Sequence, residues 1–465
     1  MHVEILLFFA SQAVALIAGL VLLVALGSCR LPTGLLVPTA WLVGCGALAL
    51  ERLLLAQAGL PWNVVTLGLP WLGAAALATW RLRGLREVRE WWAHVADGIK
   101  SRSAWLDWVA AILVTGWTAA LLLRTLAQPL FGWDALVLWV SRGRAMYLSG
   151  TVDPAFLTDP NYGVAWHMDY PLLVPLTVAH IFSWIGDQEV IVKGWWSLLS
   201  GAAAAGIYFG LSGLIPRAAR LGGALLLMTT QAMVFGGADG WAGFADLPLG
   251  VFLLYGAIFV NRWYVSGQQA ADAGLAAVFF GMSGFTKNEG LVLGVVGLFV
   301  LLATMLAKRR FRPAQAGTAV GMVGLFMLPW QIEKAVLGLK GDLNPTIGGL
   351  IANWSERVGP VMDRLVLNFR DVSVFGMLWP LVLLSCLMSL ALAPRRWMGT
   401  LPLLALLLAQ LAFIVVAFVT TTQELAWHLT TAADRLVFQA APLAALLTAV
   451  YAGGLLAKGD EQTGK

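Results

Sequence analysis

Apolar runs recur along the whole chain at about the length needed to cross a bilayer, separated by short polar connectors. They fall at roughly 3–27, 35–56, 62–80, 105–127, 190–214, 220–238, 246–264, 272–286, 290–307, 315–336, 373–393, 398–419 and 436–456. No period-two alternation marks a strand, and backbone groups in lipid must pair within their own segment, so each run predicts a helix. The expectation is an all-α polytopic membrane protein with about 13 transmembrane helices. Two more segments, 135–148 and Tyr170–Gly186, predict helices lying in the interface of the first large outer loop.

Composition sharpens this. With 59% hydrophobic residues, only 12% charged residues and a mean hydropathy of +0.79, the chain has too little charged surface for an ordinary soluble domain. The net charge of +5 is dispersed over connectors, with no basic stripe to hold nucleic-acid phosphates. Cys29 lies in a connector and Cys45 and Cys386 within spans, which supports neither a disulfide framework nor a zinc site. The first apolar run has no basic leader or small-residue cleavage pattern, so it reads as a retained span rather than a signal peptide.

The cations set the topology. Arg81, Arg83, Arg86, Arg89, Lys100 and Arg102 place 81–104 in the cytoplasm as a basic linker. Keeping Tyr170–Gly186 out of the membrane then puts Arg217, Arg220, Arg262, Lys308 to Arg312, Arg395-Arg396 and Lys458 on the same side. The organisation expected is a three-helix N-terminal module (1–80), the linker, a central membrane module (105–307) with outer loop 128–187, and a C-terminal part (308–465). That last part carries outer loops 338–371 and 421–435.

The candidate chemistry gathers on the outer face. Asp134 opens the first loop, which also holds Arg142, Arg144, His167 and Asp169; Asp239 and Asp246 flank a Gly-rich turn. Thr286-Lys287-Asn288-Glu289-Gly290 interrupts two apolar helices, and Glu424, His428, Asp434 and Arg435 lie in the last loop. Ionisable groups at membrane depth are costly and by default face a working cavity. The plainer readings are an N-cap for Asp134, turn residues for Asp239 and Asp246, and a structural ion pair for Lys287 and Glu289. Arg142 and Arg144 could equally meet lipid headgroups. His180 and His428 lack a second histidine at ligand spacing.

On Trp133-Asp134, Tyr170-Pro171-Leu172-Leu173, Asp246-Leu247-Pro248-Leu249 and Thr286-Lys287-Asn288-Glu289-Gly290, the chain resembles the GT-C superfamily of polyprenyl-phosphate-sugar-dependent membrane glycosyltransferases. The likeness is to the bacterial branch related to protein O-mannosyltransferases and the lipid A aminoarabinose transferase. It departs from that branch at Ala135, where an acidic residue often follows the Asp, and at His167-Met168-Asp169-Tyr170-Pro171, which holds a single proline. The resemblance implies an outward-facing site on the bacterial cytoplasmic membrane. A polyprenyl-phosphate sugar would be the donor, and a glycan, lipid or protein the acceptor. Asp134 and Asp246 would be catalytic. Lys287, Arg142, Arg435, Glu289, His167, Asp169 and Asp239 would hold the donor phosphate or substrate. Asp134, Asp239 and Asp246 could share Mg²⁺ or Mn²⁺ through oxygen ligands. The alternatives are a transporter or lipid flippase, which predicts inverted repeats and broken helices at the midplane, and a lipid-linked glycan ligase or polymerase. The latter usually carries a large late outer loop rich in Arg and His, whereas 338–371 has Arg357, Arg364 and Arg370 and no His.

Overall fold

Backbone donors and acceptors in an apolar run find no water in lipid, and the chain answers this with helices. The computed structural model describes residues 2–26, 31–81, 93, 105–159, 167–265, 269–341 and 346–463, and all regular structure among them is helical. The main helices are α1 (His2–Ala25), α2 (Thr33–Gln57), α3 (Val64–Arg81), α4 (Trp105–Leu126), α5 (Val140–Ser149) and α6 (Leu173–Ile185). They continue with α7 (Gly194–Gly210), α8 (Arg217–Met228), α9 (Gln231–Gly237), α10 (Asp246–Val265), α11 (Ala270–Thr286) and α12 (Asn288–Ala307). The last are α13 (Pro313–Val336), α14 (Ile347–Arg370), α15 (Leu378–Leu392), α16 (Leu401–Val419) and α17 (Leu425–Thr463). Apart from Arg81 and Ala93, the basic linker 81–104 lies outside the described residues.

Among the described residues, eight helices are long and apolar enough to cross a membrane, or nine if α8 and α9, bent by 64°, form one span. The bend has a local cause. Thr230 takes an extended backbone at the break, and the Thr229 and Thr230 hydroxyls bond back to carbonyls of the preceding turn. Helices α3, α6, α11 and α15 are apolar but shorter.

Ion pairs mark the two ends of the bundle. At one end Asp107 of α4 meets Tyr208 of α7 and Arg217 and Arg220 of α8, while Arg262 of α10 meets Asp272 of α11. At the other, Arg124 of α4 pairs with Asp239, and Lys193, just before α7, donates to the carbonyls of Gln128 and Pro129. Asp246, at the first residue of α10, also belongs to that end. From residue 107 to 124 one helix rises about 25 Å, close to the thickness of a hydrocarbon core. Exposed tryptophans follow the same division, with Trp80, Trp105 and Trp108 at the first end and Trp133, Trp184 and Trp427 at the second.

Close packing inside the bundle depends on small residues, since lipid tails remove the usual hydrophobic drive between helices. A Cβ at Gly19 would lie 1.6 Å from the Ala40 carbonyl oxygen, and one at Gly44 would lie 1.7 Å from that of Ala15, so α1 and α2 touch backbone to backbone. Helix α10 is buried along nearly its whole length and forms the centre of the bundle.

Helix α6 differs from a helix exposing one face at an interface. It is buried along almost all of its 13 residues, against α1, α2 and α5. Arg142 of α5, which with Arg144 could have met lipid headgroups, is instead fully buried, while Arg144 reaches Asp187 and Glu189 at the surface.

His180 locks α6 to the first two helices. Arg52 of α2 donates to its Nδ1 at 3.0 Å, and Nε2 lies 3.4 Å from the Ser11 carbonyl. A guanidinium can only donate, so Nδ1 is the bare acceptor, Nε2 carries the proton and the ring is neutral. Burial, reinforced by the Arg52 charge, presses the His180 pKa from 6.5 down to about 3. Below pH 6.5 the unfolded chain therefore binds a proton that the folded chain refuses, and stability falls as pH drops towards 3. Thermal unfolding in nanodiscs should show about 2 kcal/mol lost from this group between pH 7 and pH 5. His180→Phe should remove that share of the pH dependence. At neutral pH it should cost about 1–3 kcal/mol by stranding the Arg52 donor. An unchanged pH slope in the variant would refute the assignment.

Candidate functional site

Four separate segments bring charge to one place at the Asp134 end. Asp134 follows α4 and leads into a π-helical turn, Ala135–Trp139. Asp246 begins α10, Lys287 is the single extended residue between α11 and α12, and Arg435 lies ten residues into α17. The break at Lys287 (φ −157°, ψ 157°) ends one helix and starts the next within one residue. Gly290 permits that tight return, because a Cβ there would sit 1.9 Å from the Ser283 carbonyl oxygen. Glu289, in the first turn of α12, is favoured by the free N–H groups of that terminus.

The contacts form one network. Asp246 Oδ1 accepts from Lys287 Nζ at 3.0 Å and Gln439 Nε2 at 2.6 Å; its Oδ2 accepts from Arg435 Nε and Nη2 at 3.1 and 3.0 Å. Arg435 Nη2 also donates to Asp134 Oδ2 at 2.5 Å, and Lys287 Nζ lies 2.7 Å from Glu289 Oε1. The Arg435 guanidinium rests 4.3 Å above the Phe244 ring. Burial opposes the charge on Lys287, but the carboxylates of Asp246 and Glu289 more than offset it and hold the ammonium firmly protonated.

The carboxylates differ in what remains open. The Asp246 side chain is 1% exposed with both oxygens engaged, so it has no lone pair aimed at solvent. Asp134 is 20% exposed, and only Oδ2 is engaged by a described residue. Arg435 likewise spends Nε and Nη2 on carboxylates and makes no bond through Nη1 to a described residue. One carboxylate oxygen and one guanidinium edge are thus open on adjacent side chains.

A second group adjoins the first through the 287–289 segment. Asn288 and Lys334 donate to Asp169 Oδ2 at 2.6 and 3.1 Å, and Trp330 donates to the Asp169 carbonyl. Arg142 lies in the field of Asp169 and donates to the Met168 sulfur at 3.5 Å; burial, partly countered by Asp169, brings its pKa down to about 10. His167 holds a left-handed backbone (φ 54°) and stacks on Tyr170, which stacks on Trp139, with centroids 4.7 and 5.5 Å apart. Burial, then the nearby Glu289 carboxylate, raises the pKa of Tyr170 and keeps its hydroxyl protonated.

The sequence-expected residues therefore divide. Asp134, Asp246, Lys287, Glu289 and Arg435 come together; Asp169, Arg142 and His167 form the adjoining group. Asp239 joins neither, because both its oxygens pair with Arg124 Nε and Nη2 at 2.6 Å. The metal set that Asp134, Asp239 and Asp246 could have shared is not assembled: among the described residues no group of three or more His, Cys, Asp or Glu is arranged to hold a metal ion. Asp239→Asn should accordingly cost no more than about 1 kcal/mol of stability, the scale of a solvent-screened pair, and leave the Asp134 site unperturbed. A large loss of activity in that variant would contradict this separation.

Two members, Gln439 and Lys334, were not singled out from the sequence, and Asn288 entered only within the Thr286-to-Gly290 motif. Gln439 stands one turn after Arg435 on the same helix face, a spacing that could have drawn attention to it. Lys334 and Asn288 are brought to Asp169 only by tertiary packing. No family model, curated protein or solved structure matches this chain.

Proposed function

We propose that the chain is a membrane glycosyltransferase that moves a sugar from a polyprenyl-phosphate donor to an acceptor hydroxyl on the outer face of the bacterial cytoplasmic membrane. In this reading it crosses the membrane about 13 times, with α5 and α6 at the level of the outer interface. The observation that carries the reading is the open Asp134 oxygen beside the open edge of Arg435, backed by Lys287. Asp134 Oδ1 takes the proton of the attacking hydroxyl. The acceptor oxygen bonds to the anomeric carbon from the face opposite the phosphate, and the carbon–oxygen bond to phosphate breaks with its electron pair on the phosphate. The Arg435 edge neutralises that developing charge. Asp246 holds Arg435 and Lys287 in place rather than exchanging protons, since both its oxygens are already engaged.

The deciding experiment is mass spectrometry of cell-surface glycans, lipids and periplasmic proteins with and without the chain, followed by transfer in nanodiscs from the matching lipid-linked sugar. Loss of one sugar from a defined product supports the reading. Unchanged glycans together with altered uptake of a small molecule would replace it with transport.

A further inference from the structure

Helix α14 divides its surface into three stripes. Val361, Leu365 and Asn368 are buried against the bundle, with Arg357 donating to the Thr421 carbonyl and Arg364 pairing with Asp434. Beside them, at steps of three, four or eight residues, Ile347, Ile351, Trp354, Met362 and Val366 stand exposed, Ile347 at 79% and Ile351 at 72%. At 100° per residue Ile351, Met362 and Val366 fall within about 60° of one another on the flank of the buried stripe, while Ile347 and Trp354 continue that stripe's own azimuth towards the start of the helix, where they stand exposed. Glu356, Asp363 and Arg370, each seven residues apart, are exposed on a third face, which also carries the exposed Leu367. Inside a bundle a helix would show one buried stripe, and in water its outer side would be polar throughout. Three stripes suit a helix with protein beside it, hydrocarbon beneath it and water above it.

We infer that α14 lies in the headgroup region of the leaflet on the Asp134 side and docks on the lipid surface through Ile347, Ile351, Trp354, Met362 and Val366. The tryptophans name lipid as the occupant. The exposed Trp354 shares an end of the bundle with the exposed Trp133, Trp184 and Trp427, the arrangement tryptophan takes at a membrane boundary. The Arg364–Asp434 pair then ties the lipid surface to the residue preceding Arg435, so α14 sets the depth at which the charge network sits. This holds whatever chemistry the network performs.

The test is a nitroxide scan in nanodiscs of phosphatidylethanolamine and phosphatidylglycerol, using Ile351→Cys and Met362→Cys against Glu356→Cys and Asp363→Cys, with the labelled parent as background. The first two should be relaxed by oxygen and shielded from a water-soluble nickel chelate, and the last two the reverse. Brominated lipids should quench the parent more than Trp354→Phe. Chelate access at 351 and 362 would overturn the inference in favour of a water-facing helix. Spin–spin broadening at 351 would overturn it in favour of a second copy.

Discussion

Asp134→Asn is expected to lower the turnover number of sugar transfer by about 10²–10⁴, the usual worth of a positioned general base. The reason lies in which oxygen is lost as a base. Asparagine keeps an acceptor for Arg435 Nη2, and Arg435 keeps its two bonds to Asp246, so the network stays assembled. Asp134 and Arg435 are partly exposed, so stability should change by about 1 kcal/mol or less. The KM for the lipid-linked donor should move little, because the phosphate meets cations that the substitution leaves in place. Turnover and KM measured separately, with thermal unfolding of the same preparation, distinguish loss of a base from loss of a fold. Parent-like turnover would remove Asp134 from the mechanism.

The helical architecture was legible because hydropathy alone dictates it. The runs at 35–56 and 315–336 become α2 at Thr33–Gln57 and α13 at Pro313–Val336. Two regions expected as loops are helical for reasons that hydropathy does not carry. Within 338–371, the Gly359-Pro360 pair suggests a break, yet α14 runs through it from a Thr346 cap, and its three-stripe surface dilutes any average. Within 421–435, Glu424 accepts from the Ala426 and Trp427 amides and starts α17 early, so Asp434 and Arg435 stand on a rigid helix. Asp134, Asp246 and Lys287 were legible as costly charges at helix breaks. Their partnership was not, since Arg435 reaches Asp134 across 301 residues. Nothing in the residue pattern marks Asp246 as closed off and Asp134 as open, because that depends on Gln439 and Lys287 arriving together from distant segments.

Asp246→Ala should be the more damaging change to the folded protein. One carboxylate with a 1% exposed side chain accepts from Lys287, Arg435 and Gln439, and its removal leaves the buried Lys287 to Glu289 alone and the part-exposed Arg435 to Asp134 alone. Breaking such a pair from one side costs about 3–5 kcal/mol, because the remaining charges keep their desolvation penalty without the attraction that offset it. Glu289 still faces Lys287 and Asp134 still faces Arg435, so the loss should fall within that range rather than beyond it. A cycle tests the cause. Asp246→Asn combined with Lys287→Met removes a cation along with the anion, and the double variant should be more stable than the sum of the single changes predicts. Unfolding in nanodiscs for all four proteins measures that coupling. Were Asp246 itself a proton-transfer group with no organising role, Asp246→Ala would fold as well as the parent and lose only activity, and the cycle would be additive. The prediction is the opposite: strong coupling in stability, with activity returning in no variant that lacks the carboxylate, because Arg435, held then by Asp134 alone, is no longer fixed where it meets the departing phosphate.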